Sequence, residues 1–170
     1  ERVQTAVESD EDRTFRLVTA NRFPSPGEYK PQKYIDFREL DPNHRMSTRL
    51  YASIDFVFGV PGGLVFLEVD ENQHKSYEEN YDMERMYEVM RAYEHVYGGN
   101  QSVLWIRFNP DSAFRGQQQP IDNDTRVNKL IEYLRVIRLD DTPPLQVKYA
   151  FYDDDILGKR ASFDETFREA

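Results

Sequence analysis

The chain has 170 residues and 39% hydrophobic content, enough for one domain around one core. No apolar run is long enough to span a bilayer, the polar start of the sequence leads to the expectation of no secretory signal, and the absence of cysteine excludes disulfides and zinc–thiolate sites. The net charge of -9 argues against a broadly basic nucleic-acid-binding surface but leaves room for a local patch.

Residues 1–10 read as a flexible acidic N-terminus and 11–170 as a single domain. The opening Glu1, in place of methionine, leads to the expectation of flanking domains in a larger protein. Lack of cysteine and of a signal points to an intracellular setting, nucleus or cytoplasm. The acidic runs Glu8-Ser9-Asp10-Glu11-Asp12 and Asp153-Asp154-Asp155 read as solvated, so the middle of the chain is closer to neutral.

In chain order, residues 12–21 suggest a short helix with Phe15 and Val18 inward, and 23–32, rich in Pro and Gly, a loop. A strand is predicted over 33–38, a polar turn around Asp41-Pro42-Asn43, then strands over about 50–58 and 64–70. Met83, Met86, Met90, Tyr93 and Tyr97 recur at helical spacing, so 80–97 is a helix, stopped by Gly98-Gly99. Val103-Leu104-Trp105-Ile106 marks a buried strand over 102–108. A second amphipathic helix follows over 124–139, then a strand over 145–152 and a helical turn around 163–168. The order predicts an α/β fold with a mixed sheet: a three-strand meander, a helical crossover to a fourth strand, and flanking helices.

The acids inside the apolar strands carry the chemistry. Strict alternation puts Tyr51, Ser53, Asp55 and Val57 on one face, and Leu64, Phe66, Glu68 and Asp70 on one face of the next strand. A four-residue turn over 60–63 pairs Gly59 with Leu64 and sets Asp55 opposite Glu68. Two carboxylates that close repel, and one holds its proton unless a cation joins them. Magnesium suits such oxygen donors. The competing structural reading has one acid at an exposed sheet end and the other paired with an arginine. His74 follows the second strand, and its ordinary pKa suits a general base that activates water. Lys75 and Arg85 are candidates to hold phosphate, or else solvated cations. Asp82 and Arg85, three apart at a helix start, also fit a local ion pair. His44 and His95 stand apart and read as structural.

Taken in order, Asp55-Phe56-Val57, then Phe66-Leu67-Glu68-Val69-Asp70-Glu71-Asn72-Gln73-His74, then Tyr81-Asp82-Met83-Glu84-Arg85, then Val103-Leu104-Trp105-Ile106-Arg107-Phe108-Asn109 resemble the PD-(D/E)xK nuclease superfamily. The likeness covers about residues 33–110 and is nearest the branch of very-short-patch-repair and related homing endonucleases. The resemblance implies a restriction-endonuclease-like core, a magnesium-dependent endonuclease with DNA as partner, and manganese as a substitute. It implies metal binding by Asp55 and Glu68, with Asp70 standing where many members carry lysine, among the strand acids grouped at the metal. It implies His74 in the catalytic place of that lysine, with Asp82 beside it. The branch's first-helix glutamate is not placed; Glu8, Glu11 and Glu28 are candidates. The repair enzyme's zinc-binding cysteines are absent, so its mismatch recognition does not transfer. The alternative expectation is a catalytically inactive nuclease-fold module that binds nucleic acid or a protein.

Overall fold

The computed structural model describes residues 23–37, 49–71, 79–97, 102–111, 122–140 and 145–152. Expectations for 1–22, for 163–168, and for His44, His74 and Lys75 lie outside these residues. The strands are β1 (Tyr29–Asp36), β2 (Tyr51–Val60), β3 (Gly63–Val69), β4 (Ser102–Phe108) and β5 (Leu145–Ala150). The helices are α1 (Glu79–Tyr97), between β3 and β4, and α2 (Asn123–Val136), between β4 and β5.

The strands form one five-stranded sheet in the order β1-β2-β3-β4-β5. The first three run antiparallel as a meander; β3, β4 and β5 are parallel, each joined through a helix. The expected mixed sheet is therefore present, and the last strand extends it past the fourth. Parallel strands covered on both faces must be apolar throughout, and β3 and β4 are buried along almost their whole length.

Two cores flank the sheet. On one side Met86, Val89, Ala92 and Tyr93 of α1 pack with Phe66, Val103 and Trp105. Phe66 meets Trp105 edge-on with ring centroids 4.9 Å apart. On the other side Val127, Leu130 and Leu134 of α2 pack with Val65, Leu67, Leu104 and Ile106. The methionine stripe read on α1 is thus core at Met86, with Met83 at its margin. Asp122 caps α2, its carboxylate accepting the Thr125 amide at 2.9 Å. The helix ends at Val136, short of the expected 139, where Ile137 adopts an extended backbone.

The β2–β3 turn is tighter than a four-residue loop. Val60 pairs directly with Gly63, so only Pro61 and Gly62 lie outside the ladder. Proline presets the first turn position, and Gly62 supplies the φ of 85° that the second requires. A side chain at Gly62 would also strike the Asp140 backbone, its Cβ only 2.3 Å from that amide nitrogen. The register nevertheless comes out as expected, with Gly59 opposite Leu64.

Strand β1 begins at Tyr29, inside the stretch read as a loop. Pro31 misled that reading. On an edge strand proline need not donate to a neighbour, and there it also blocks pairing with another chain.

Strict alternation fails in β2. Ala52, Ile54 and Val57 lie in the α1-side core, whereas Phe56, Phe58 and Val60 lie on the α2 side. The strand rolls over between Ile54 and Phe56, so Ser53 and Val57 do not share a face. Its partner rolls with it: Lys33 lies over the Phe23 ring of the α1-side core, while Tyr29 stacks on Phe58 on the other side. The ladder skips the pair at the crossover, Gln32 and Asp55. Gln32 has a φ of 45°, a left-handed conformation that costs a non-glycine residue roughly 1–2 kcal/mol. Such strain gathers at functional sites, and Gln32 stands across the β1–β2 register from Asp55.

Candidate functional site

The roll turns Asp55 out of the alternation and toward β3. Its carboxylate accepts the Val69 amide at 2.8 Å, a donor that a continuing ladder would direct at the β2 backbone. The β2–β3 ladder stops at Phe56 and Leu67. Beyond that pair the strands form a fork, with the Asp55 carboxylate on one prong and Glu68 on the other. Arg85, nearly two turns into α1, reaches into the same opening. Its Nη2 donates to the Glu68 carboxylate at 2.6 Å and to the Ser53 carbonyl.

A second polar cluster lies beside the fork, at the C-terminal ends of the parallel strands. Asp70 follows β3, and its carboxylate accepts two hydrogen bonds from Arg107 of β4, at 2.5 and 2.8 Å. The Tyr152 hydroxyl, just past β5, donates to Asp70 as well. Asp82 of α1 faces Arg107 at 3.2 Å. All four are almost fully buried. Backbone bonds lace the same strand ends: the Asp70 amide donates to Phe108 and the Asn109 amide to Ala150. Open parallel sheets bind ligands at this end of their strands.

Five residues singled out in the sequence, Asp55, Glu68, Asp70, Asp82 and Arg85, therefore meet at one end of the sheet on the α1 side. They divide into two groups. Asp55, Glu68 and Arg85 form the fork; Asp70 and Asp82 bind Arg107. A local pairing of Asp82 with Arg85 gives way to these longer-range partners. Arg107 and Tyr152 were missed as site residues. An arginine inside Val103-Leu104-Trp105-Ile106-Arg107-Phe108 was the available signal, because a buried guanidinium demands acids as surely as buried acids demand a cation. Nothing local marks Tyr152.

Arg126 was also missed. It is fully buried on α2, and its guanidinium donates to the carbonyls of Asn109, Pro110 and Asp111. That clamp fixes the chain leaving β4. Asn109 adds to it, donating to the Phe151 carbonyl and accepting the Asp111 amide.

No family model, no curated protein and no solved structure matches this chain. The site has to be read from its own chemistry.

Burial first, and then the charge of Asp55, raise the Glu68 pKa to about 7, against the opposing pull of Arg85. One guanidinium does not fully relieve two carboxylates in a partly buried fork. Burial would strip the proton from Arg107, but Asp70 and then Asp82 outweigh it and hold its pKa above the ordinary arginine value. Burial and the Asp70 charge push the Tyr152 hydroxyl upward, so it stays a donor. The second cluster is thus a fixed ion pair, and the fork is the strained part.

The raised Glu68 pKa makes stability depend on pH. The folded chain binds this proton more tightly than the unfolded chain does, so the contribution is complete below about 4.5 and is lost as pH rises through about 7. Glu68→Gln should remove that slope. Urea midpoints of wild type and variant, compared between these two pH values, should diverge by an amount of the order of 3 kcal/mol in unfolding free energy. Parallel curves would show that the proton is not held.

Among the described residues no group of three His, Cys, Asp or Glu side chains converges as a ready metal cage. The fork offers two carboxylates and the Ser53 carbonyl. These are hard oxygen donors of the kind magnesium and manganese take, with waters completing the shell. An apolar cavity of about 490 Å³ lies elsewhere, between α2 and Phe56, Phe58 and Leu67; it contains none of Asp55, Glu68, Asp70 and Asp82, but Glu28, which stands just before β1 and not on a helix, lines it. Among the described residues no helix is long and apolar enough to cross a membrane.

Proposed function

We propose that the chain is a magnesium-dependent endonuclease with a restriction-endonuclease-like core, akin to the PD-(D/E)xK superfamily, and that it hydrolyses DNA phosphodiester bonds. The observation that carries this reading is the fork: Asp55 and Glu68, on neighbouring strands, brought together beside an opening where the ladder stops. Nothing in sheet packing requires two carboxylates there, and a left-handed backbone at Gln32 stands across the register from one of them.

In this reading Asp55 and Glu68 would hold the metal, which when bound would supply charge to polarise water and a phosphoryl oxygen. His74 takes the proton from the attacking water. Arg85 or Lys75 steadies the phosphate. Asp70 is not free to serve as a ligand while Arg107 and Tyr152 hold it, so its part is to fix the end of β3 beneath the site. Asp82 does the same for the start of α1 through Arg107.

Nicking of supercoiled plasmid is the direct test. Cleavage should appear with magnesium or manganese and vanish with chelator. Its absence under both metals would leave the second reading: a nuclease-like fold kept as a binding module. The Arg85 contact favours that alternative, since it gives Glu68 a counter-charge without metal.

The role of His74 is testable by itself. His74→Ala should lower turnover by about 10²–10⁴-fold with little change in metal affinity, and the wild-type rate should fall as pH drops through the histidine range, near about 6.5. Weaker metal binding, with activity partly restored by excess metal, would make it a ligand instead. Full activity would end its catalytic role.

A further inference from the structure

We propose that Arg85 is the resident counter-ion of the fork and that a divalent cation displaces it, the two being mutually exclusive occupants. The inference rests on the metal-binding reading above and adds a competitor to it.

The geometry carries the argument. A single nitrogen, Arg85 Nη2, bonds both prongs: the Ser53 carbonyl on β2 and the Glu68 carboxylate on β3. The guanidinium is therefore seated in the opening and does not merely pass beside it. Asp55 presents the other carboxylate to the same opening, and its charge is felt at Glu68. A divalent ion bound by Asp55 and Glu68 would share Glu68 with Arg85. Two cations on one carboxylate in a partly buried site repel more strongly than they would in bulk water. The more mobile cation must leave.

Arg85 is able to leave. Its side chain is 17% exposed, whereas that of Arg107 is 1% exposed and bonded to Asp70 twice. It is held at one nitrogen, without the two-pronged grip that Arg107 has. Once released, the guanidinium lies beside the metal on a long side chain, placed to receive the phosphate of an incoming strand. The arginine that fills the fork in the resting protein is thus the one that meets substrate after metal has bound.

Calorimetric titration of manganese into wild type, Arg85→Met and Arg85→Lys tests the exchange. Removing the competitor should tighten manganese binding about tenfold or more in Arg85→Met. Arg85→Lys, which keeps the charge, should stay close to wild type. Equal or weaker binding by Arg85→Met, while wild type binds, overturns the exchange and leaves the metal site standing. No binding by any of the three removes the metal site and the exchange together. A manganese-soaked crystal of the wild type gives an answer that does not depend on how the variants fold. Manganese on Glu68 with Arg85 swung away supports exchange; manganese with Arg85 still on Glu68 and Ser53 refutes it.

Discussion

Arg107→Met should be the most destabilising single change at the site. It leaves Asp70 and Asp82 buried with no guanidinium between them, and breaking a buried ion pair from one side typically costs about 3–5 kcal/mol. The side chain is of similar length, so the loss would be electrostatic more than steric. Urea unfolding at neutral pH should show it as a large drop in midpoint. Arg107→Lys should not restore wild-type stability, because one ammonium cannot reproduce the two parallel bonds to Asp70. A midpoint within experimental error of wild type would mean that water or movement relieves the acids.

Asp55→Asn should have the opposite profile. Plasmid cleavage should fall to background, since one of the two carboxylates proposed to hold the metal is gone. The fold should survive and, without metal, gain slightly in stability, because a charge that repels Glu68 has been removed. The amide oxygen still accepts the Val69 N–H, so the fork keeps its shape. The pair of measurements is decisive together. Loss of cleavage with an unchanged melting temperature marks a functional acid, whereas unfolding marks a structural one.

These two sites differ in how far the sequence exposed them. Asp55 and Glu68 stood out because each interrupts an apolar strand, and Pro61-Gly62-Gly63 set the hairpin register that makes them neighbours. Helix α1 was equally plain, its Met and Tyr stripe repeating at helical spacing. The roll of β1 and β2 was hidden. Alternation predicts faces only while both strands keep a regular pleat, and glutamine carries no preference for the left-handed backbone seen at Gln32. Arg107 could have been found by applying to cations the reasoning used for acids. Arg126 could not, because an arginine on an amphipathic helix normally faces water and only the tertiary fold brings three carbonyls to it. The strand at Tyr29–Asp36 was shortened by giving Pro31 the weight it has in a central strand when it lies on an edge.

The bond from Tyr152 to Asp70 joins residues 82 positions apart, and Asp70 in turn is tied to Arg107 of β4, which also holds Asp82 of α1. Each of these partners is contributed by a different segment, and the last arrives only after β5 has docked. A chain still emerging during synthesis therefore has its acids but no assembled site, since Asp70 waits for a hydroxyl encoded far downstream. Contacts of such sequence separation form late and slow the search for the native state. Amide exchange should accordingly show the Asp70 and Asn109 backbone bonds opening together with the global transition, because the strand ends they lace share one closing step.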